Sequence, residues 1–521
     1  MNDILFFGGS ILTQDEKAPQ VEAVLVRGER IAFVGSLAQA EAQASLQAER
    51  VDLAGRALLP GFHDAHVHLT QHGLDLARLR LIDTQTLGEA LEAVAARTQA
   101  QEPGTWIEGS GLSMSRWNVS ELDKRDLDAV SPHHPVVLRS QDGHSVWANS
   151  LALERAGIHR DSLDPENGVY ERNVSGELTG RLLELATKVI SEAIPEPTEA
   201  ELQEALGRAG EHLASLGITT VHHMAYEPTR NWRQLALAAS REDFPLRVWA
   251  CIDQQHIELM DELGVATGQG GSRFTVGGAK FFADGALGSL TAWMLEPYSG
   301  TDTTGITIHG PDTLAERYPK ALEAGLTLVT HAIGDAANRA VLDALEATRD
   351  LWQEKGLRPR LEHAQHLHPD DVPRFADLGI PVSLQPIHLT FDAKRIGELL
   401  AERQNGAYRT RALLEAGAVL AFGSDTPVAD PDVILGLRAA CTRRAVDGTV
   451  LNLDEALSVE DALAAYTRGA AYAISREERS GQLCQGFDAD LVVVSHDPRD
   501  GLDGLEVTGT MLAGSWTYEL R

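Results

Sequence analysis

The chain has 521 residues, a formal net charge of -31, 43% hydrophobic and 23% charged residues. That length exceeds what one hydrophobic core usually supports, so a barrel-sized domain plus at least one smaller one is expected. The acidity and the lack of a basic stripe argue against nucleic acid and anionic membrane surfaces as partners. Three scattered cysteines, Cys251, Cys441 and Cys484, argue against a disulfide framework or a thiolate zinc site. With no basic leader and no long apolar run, a cytoplasmic location is expected.

The first sixty residues read as short strands, DILFFGG, AVLVRGERIAFVGS, ERVDLAG and RALLPGF, and the last forty read the same way, with ADLVVVSHD, LEVTGTMLAG and SWTYELR. Neither end has enough strands to bury a sheet face. One composite β-sandwich domain over 1–60 and 477–521 is therefore predicted. Between them, over 61–476, helical stretches such as TLGEALEAVAARTQA and AELQEALGRAGEHLASLG alternate with eight strand candidates: ALLPGFHDAH, ITTVHHM, PLRVWACI, FTVGGAKFFA, LTLVTHA, PRLEHA, IPVSLQP and AVLAFGSD. Alternating β and α units predict a parallel sheet, and eight of them a (β/α)8 TIM-type barrel. The stretch 101–198, with strand-like WIEGSGL and PVVLRSQ, reads as an insertion over the barrel mouth.

The strand ends carry the chemistry. The first supplies His66 and His68, the fourth Lys280, the fifth His331, the sixth His363 and the eighth Asp425. In a barrel those ends converge on the face where active sites lie. Each residue has a bland alternative: a surface HxH pair, a structural histidine, a helix cap at Asp425, a snorkelling Lys280. Six such residues in order at strand ends favour a metal site. Alternation along a strand predicts that Glu362 points away from His363 and is structural.

The motifs GFHDAHVHL, QDGHSVWANSLALERAGI, AKFFADGALGSLTAWMLEPY, VTHAIGDAANRAVLDAL, RLEHAQHLHPDD, SLQPIHLTFDA and AFGSDTPV resemble the amidohydrolase superfamily. The resemblance covers nearly the whole chain. It points to the YtcJ-like branch, which includes N-substituted formamide deformylases. It implies that His66, His68 and Asp425 bind one metal, that His331 and His363 bind a second, and that Lys280 is the position of an N6-carboxylated bridging lysine. One or two divalent ions, zinc by ligand type, are implied, and a homodimer is compatible.

Chemically, a divalent ion lowers the pKa of bound water from about 15.7 to about 7. The predicted activity is hydrolysis of an amide or other non-peptide C–N bond in a small molecule by metal-activated hydroxide, with Asp425 as general base. An ester or phosphoester hydrolase, or a non-catalytic regulatory protein on the same scaffold, are the alternatives; the complete ligand set favours an enzyme. Asp142, His144, Gln385, His388, Trp117 and Asp284 are the candidate substrate-binding residues.

Overall fold

The structure is a computed structural model and describes residues 3–140, 145–225 and 227–520. The chain divides into two compact units, one of Met1–Gly73 with Gln203–Arg521 and one of Leu74–Leu202.

Eight strands from the two ends of the chain share one sheet in the first unit. Its hydrogen-bonded path runs Ser515–Glu519, Val507–Leu512, Leu491–Val494, Ala57–Pro60, Asp3–Leu12, Gln20–Arg27 and Arg30–Gly35, with Glu49–Asp52 also pairing Asp3–Leu12. The join between the ends is antiparallel, Leu491 opposite Pro60 and Val494 opposite Ala57. Apolar side chains from both ends, among them Phe6, Val24, Leu58, Leu491 and Met511, pack in one cluster. Burial of that shared face makes the pairing favourable for segments too short to be stable alone.

The barrel follows. Its strands are β1 (Phe62–Val67), β2 (Ile218–His223), β3 (Arg247–Asp253), β4 (Phe274–Phe282), β5 (Leu328–Ala332), β6 (Arg360–His363), β7 (Val382–Leu384) and β8 (Leu420–Phe422). They pair in that order, every pair parallel. All six residues of β1 and β2 are buried, as expected of strands covered on both sides. The run ALLPGFHDAH is two strands rather than one. The chain leaves the terminal sheet at Pro60 and enters the barrel at Phe62. A Cβ on Gly61 would lie 2.4 Å from the Thr219 side chain, so only glycine permits this close passage. Arg247 at the start of β3 pairs with Asp490 at 2.6 Å, tying the barrel to the terminal sheet.

In the second unit, six strands order as Gly168–Arg172, Leu178–Glu184, Ser145–Ala148, Val136–Ser140, Ile107–Leu112 and Leu79–Arg80. Leu81, Ile107, Trp117, Leu138 and Trp147 form its main core. Among the described residues, no helix is long and apolar enough to cross a membrane.

Candidate metal centre

The first and eighth strands do not share a ladder; their ends are joined by one carboxylate and a few backbone bonds. Asp64 accepts the Ser424 N–H at 2.9 Å through Oδ1 and the Ser424 hydroxyl at 2.5 Å through Oδ2. The Asp425 N–H donates to the His66 carbonyl at 2.7 Å, and the His68 N–H to the Thr426 carbonyl at 2.9 Å. A Cβ on Gly423 would stand 2.5 Å from the His66 nitrogen, so the seam closes only on glycine. As a result His66 Nε2 lies 3.5 Å, and His68 Nε2 3.3 Å, from Asp425 Oδ1. Asp425 has φ +62°, a conformation a side chain adopts only when its surroundings hold it there.

The other candidates arrive from β4, β5 and β6. The His363 ring centroid lies 4.7 Å from that of His66 and 4.4 Å from that of His331. Ligand atoms of His66, His363 and Asp425 all fall within 4.8 Å of one another. Lys280 is 1% exposed and its Nζ has no hydrogen-bond partner among the described residues. The Nζ lies 5.1 Å from the centroid of the Phe282 ring. Burial holds the ammonium below its ordinary pKa.

Outer partners fix three of the imidazoles. His66 Nδ1 donates to Glu362 Oε2 at 2.7 Å, His363 Nδ1 to Gln385 Oε1 at 2.8 Å, and His331 Nε2 to the Gly285 carbonyl at 3.0 Å. Each ring therefore keeps a lone pair on its other nitrogen, the form a metal requires. Burial, then Lys280, pushes His66 down to about 4 and His331 to about 3. His363 is held well below its ordinary value by burial, then by His331. Burial opposes ionisation of Asp425, yet the neighbouring His66 and the bond from His68 hold its carboxyl well below the usual range. Neutral imidazoles, an ionised carboxylate and an unpartnered buried amine make a donor set that fits a divalent cation.

Glu362 is the residue that strand alternation misplaces. It faces the barrel interior, paired to Arg360 at 2.6 Å as well as to His66. Arg360, fully buried, also reaches His222 Nδ1 at 2.8 Å. Residues 360 and 362 share one face as period two demands, but His363 has φ +72°. That left-handed turn at the strand end swings the next side chain back toward the same site.

These groups line one cavity of about 580 Å3, with His66, His68, Lys280, His331, His363 and Asp425 in its wall. His388 lines it too, its Nε2 donating to the Ser424 carbonyl at 3.1 Å. The other expected substrate contacts differ. Gln385 is absent from the wall; its carboxamide oxygen accepts from His363 Nδ1. Asp284 is also absent: its carboxylate accepts the N–H groups of Trp293, Ile333 and Gly334 at 2.8, 3.0 and 2.8 Å. Trp117 sits in the core of the second unit, its indole donating to Thr84 Oγ1 at 3.0 Å. Asp142 and His144 lie outside the described residues. Sequence reasoning missed Glu227, Gln365, Phe282, Phe391 and Asp392, all wall residues. Four of them follow barrel strands, which was the available signal.

A model of the amidohydrolase family matches residues 49–514. The chain belongs to the amidohydrolase family. Over 530 residues it is 32% identical to "Putative amidohydrolase YtcJ" of Bacillus subtilis (strain 168), covering 99% of each chain. It is 30% identical to the N-substituted formamide deformylase of Arthrobacter pascens, covering 100% of this chain and 99% of that one. An uncharacterized metal-dependent hydrolase of Pyrococcus horikoshii OT3 superposes with a TM-score of 0.81 at 27% identity, over 96% and 99% of the two chains. This amidohydrolase is thus a metal-dependent hydrolase with the fold of its family.

Proposed function

We propose that the chain hydrolyses an amide or other non-peptide C–N bond in a small molecule. The observation that carries this reading is the gathering of His66, His68, Lys280, His331, His363 and Asp425 in the wall of one cavity. The likeness to a protein named for deformylation of N-substituted formamides supports the bond type.

A divalent cation held by these side chains would supply a nucleophile from water at neutral pH and polarise the substrate carbonyl. The chain's own residues do the rest. Asp425, ionised and beside His66 and His68, takes a proton from the attacking water and returns it to the leaving nitrogen. Glu362 and Gln385 keep His66 and His363 oriented. Neutral Lys280 is the group that reacts with carbon dioxide: the amine nitrogen bonds to carbon, one proton leaves, and a carbamate anion remains to face the cation. The apolar walls Phe282, Leu287 and Ile333 limit water around the scissile bond.

Metal analysis joined to a substrate screen tests the reading. Stoichiometric zinc, with turnover of formamides, N-acyl compounds or cyclic amides and none of esters, is expected. Turnover of esters alone, or full metal loss without effect on turnover, overturns it.

A further inference from the structure

Apart from the six converging side chains, the described cavity wall carries two carboxylates, Glu227 and Asp392, and neither arginine nor a second lysine. The rest is largely Pro228, Phe282, Leu287, Ile333, Phe391 and Val428. A charged group entering such a wall meets fixed negative charge under weak dielectric screening.

Glu227 is held in place. The helix α1 (Leu69–Ala77) starts directly after His68. Its Leu69 N–H donates to His223 Nδ1 at 3.2 Å, and its Gln71 N–H to Glu227 Oε1 at 3.1 Å. Glu227 therefore stands within one helical turn of the candidate ligand His68. Its other oxygen accepts Asn231 Nδ2 at 3.2 Å, from the first turn of α2 (Thr229–Ala239). A carboxylate offers about four lone-pair positions, of which these bonds occupy two. No ion pair engages Glu227 among the described residues. Capping α1 accounts for one bond; it does not account for a charged, half-buried acceptor facing the cavity. Asp392 stands in the same wall, held by Gln365 Nε2 at 2.7 Å and the Tyr408 hydroxyl at 2.9 Å.

We propose that Glu227 is a subsite for an ammonium or N–H donor on the substrate or its amine product, so that this part of the cavity wall favours a cationic or N–H-bearing group over a carboxylate or phosphate. The inference rests on the reading of this cavity as a hydrolase site. An N-alkyl amide cleaved by that activity releases an amine that is protonated near neutral pH, and Glu227 is placed to receive it.

Titration calorimetry on the metal-loaded protein tests this without turnover. The probes are cyclohexylamine and cyclohexanecarboxylate, similar in shape and opposite in charge. Because a carboxylate also binds metal, the deciding quantity is how Glu227→Gln changes the affinity ratio; glutamine keeps an acceptor for the Gln71 N–H. The ammonium is expected to bind better, with the ratio falling at least about tenfold in the variant, the size of one screened contact charge. A shift below about threefold, or no binding of either probe in the millimolar range, overturns the subsite. Failure of the hydrolase reading looks different: the charge preference persists while every amide in the screen stays intact.

Discussion

Glu362 Oε2 accepts the Nδ1–H of His66 at 2.7 Å, although the two residues are 296 positions apart in the chain. The carboxylate is clamped from its other side by Arg360, and none of the three side chains is more than 2% exposed. Position, tautomer and charge of His66 thus depend on a pair that never reaches the cavity.

Glu362→Ala removes one member of a fully buried ion pair and leaves Arg360 uncompensated. A loss of about 3–5 kcal/mol in unfolding free energy is expected. Adding Arg360→Met to that variant should return most of it, because a buried pair replaced by apolar groups is close to neutral. Denaturant midpoints of the three proteins measure both numbers. Zinc affinity should fall about 10–100-fold in the single and the double variant alike, since neither orients His66. Full affinity in the double variant would remove the orienting role.

The eight barrel strands were legible because each is a short apolar run between helical stretches, and the strand ends that carry the candidate ligands followed from the fold. What escaped has physical causes. The break at Gly61 is a matter of contact with Thr219, which no local pattern encodes. Glu362 escaped because alternation assumes extended backbone through His363, whose φ is +72°. Gln385 and Asp284 were recognised as near the mouth, but what their amide and carboxylate bind depends on chain segments that meet only in the fold. The seam that sets His66 beside Asp425 rests on Asp64 and Gly423, neither of which stood out in sequence.

Lys280→Ala should lower metal content to less than half of the unmodified protein, read by elemental analysis after gel filtration. The buried Nζ has no hydrogen-bond partner among the described residues, so its removal vacates the place a carbamate would fill. Short carboxylic acids added during metal loading are expected to restore part of the content. Unchanged metal in the alanine variant excludes the bridging role.

Asp425→Asn preserves shape beside His66 and His68 and removes the proton acceptor. Turnover is expected to drop by about 10²–10⁴, the usual contribution of a positioned acid–base group. Metal content should change little, because the histidines retain their outer partners. A variant that keeps its turnover contradicts the proton-transfer role; one that loses its metal shows that holding the cation, rather than moving the proton, is the larger part of what Asp425 does.

The metal-free protein should lose stability as pH falls from about 6.5 towards 4, the interval between ordinary and depressed imidazole values. Burial pushes His63, His72, His331 and His366 down to about 3 and His66 and His223 to about 4, and also holds His222 and His363 well below normal. In that window the unfolded chain binds protons that these native imidazoles refuse, so unfolding gains. Five buried carboxyls act with the opposite sign. Asp64 and Asp284 are raised to about 7, and Asp335, Asp392 and Asp432 are raised as well, each chiefly by burial. These take up protons in the native state as pH falls. The eight imidazoles outnumber them, and each displaced unit is worth about 1.4 kcal/mol. Urea midpoints of chelator-treated protein should therefore decline steadily from pH 6.5 to 5. Bound metal steepens the decline, since acid also releases the cation from the same nitrogens. A midpoint that stays level or rises over that interval would mean the imidazoles are not held neutral by the fold.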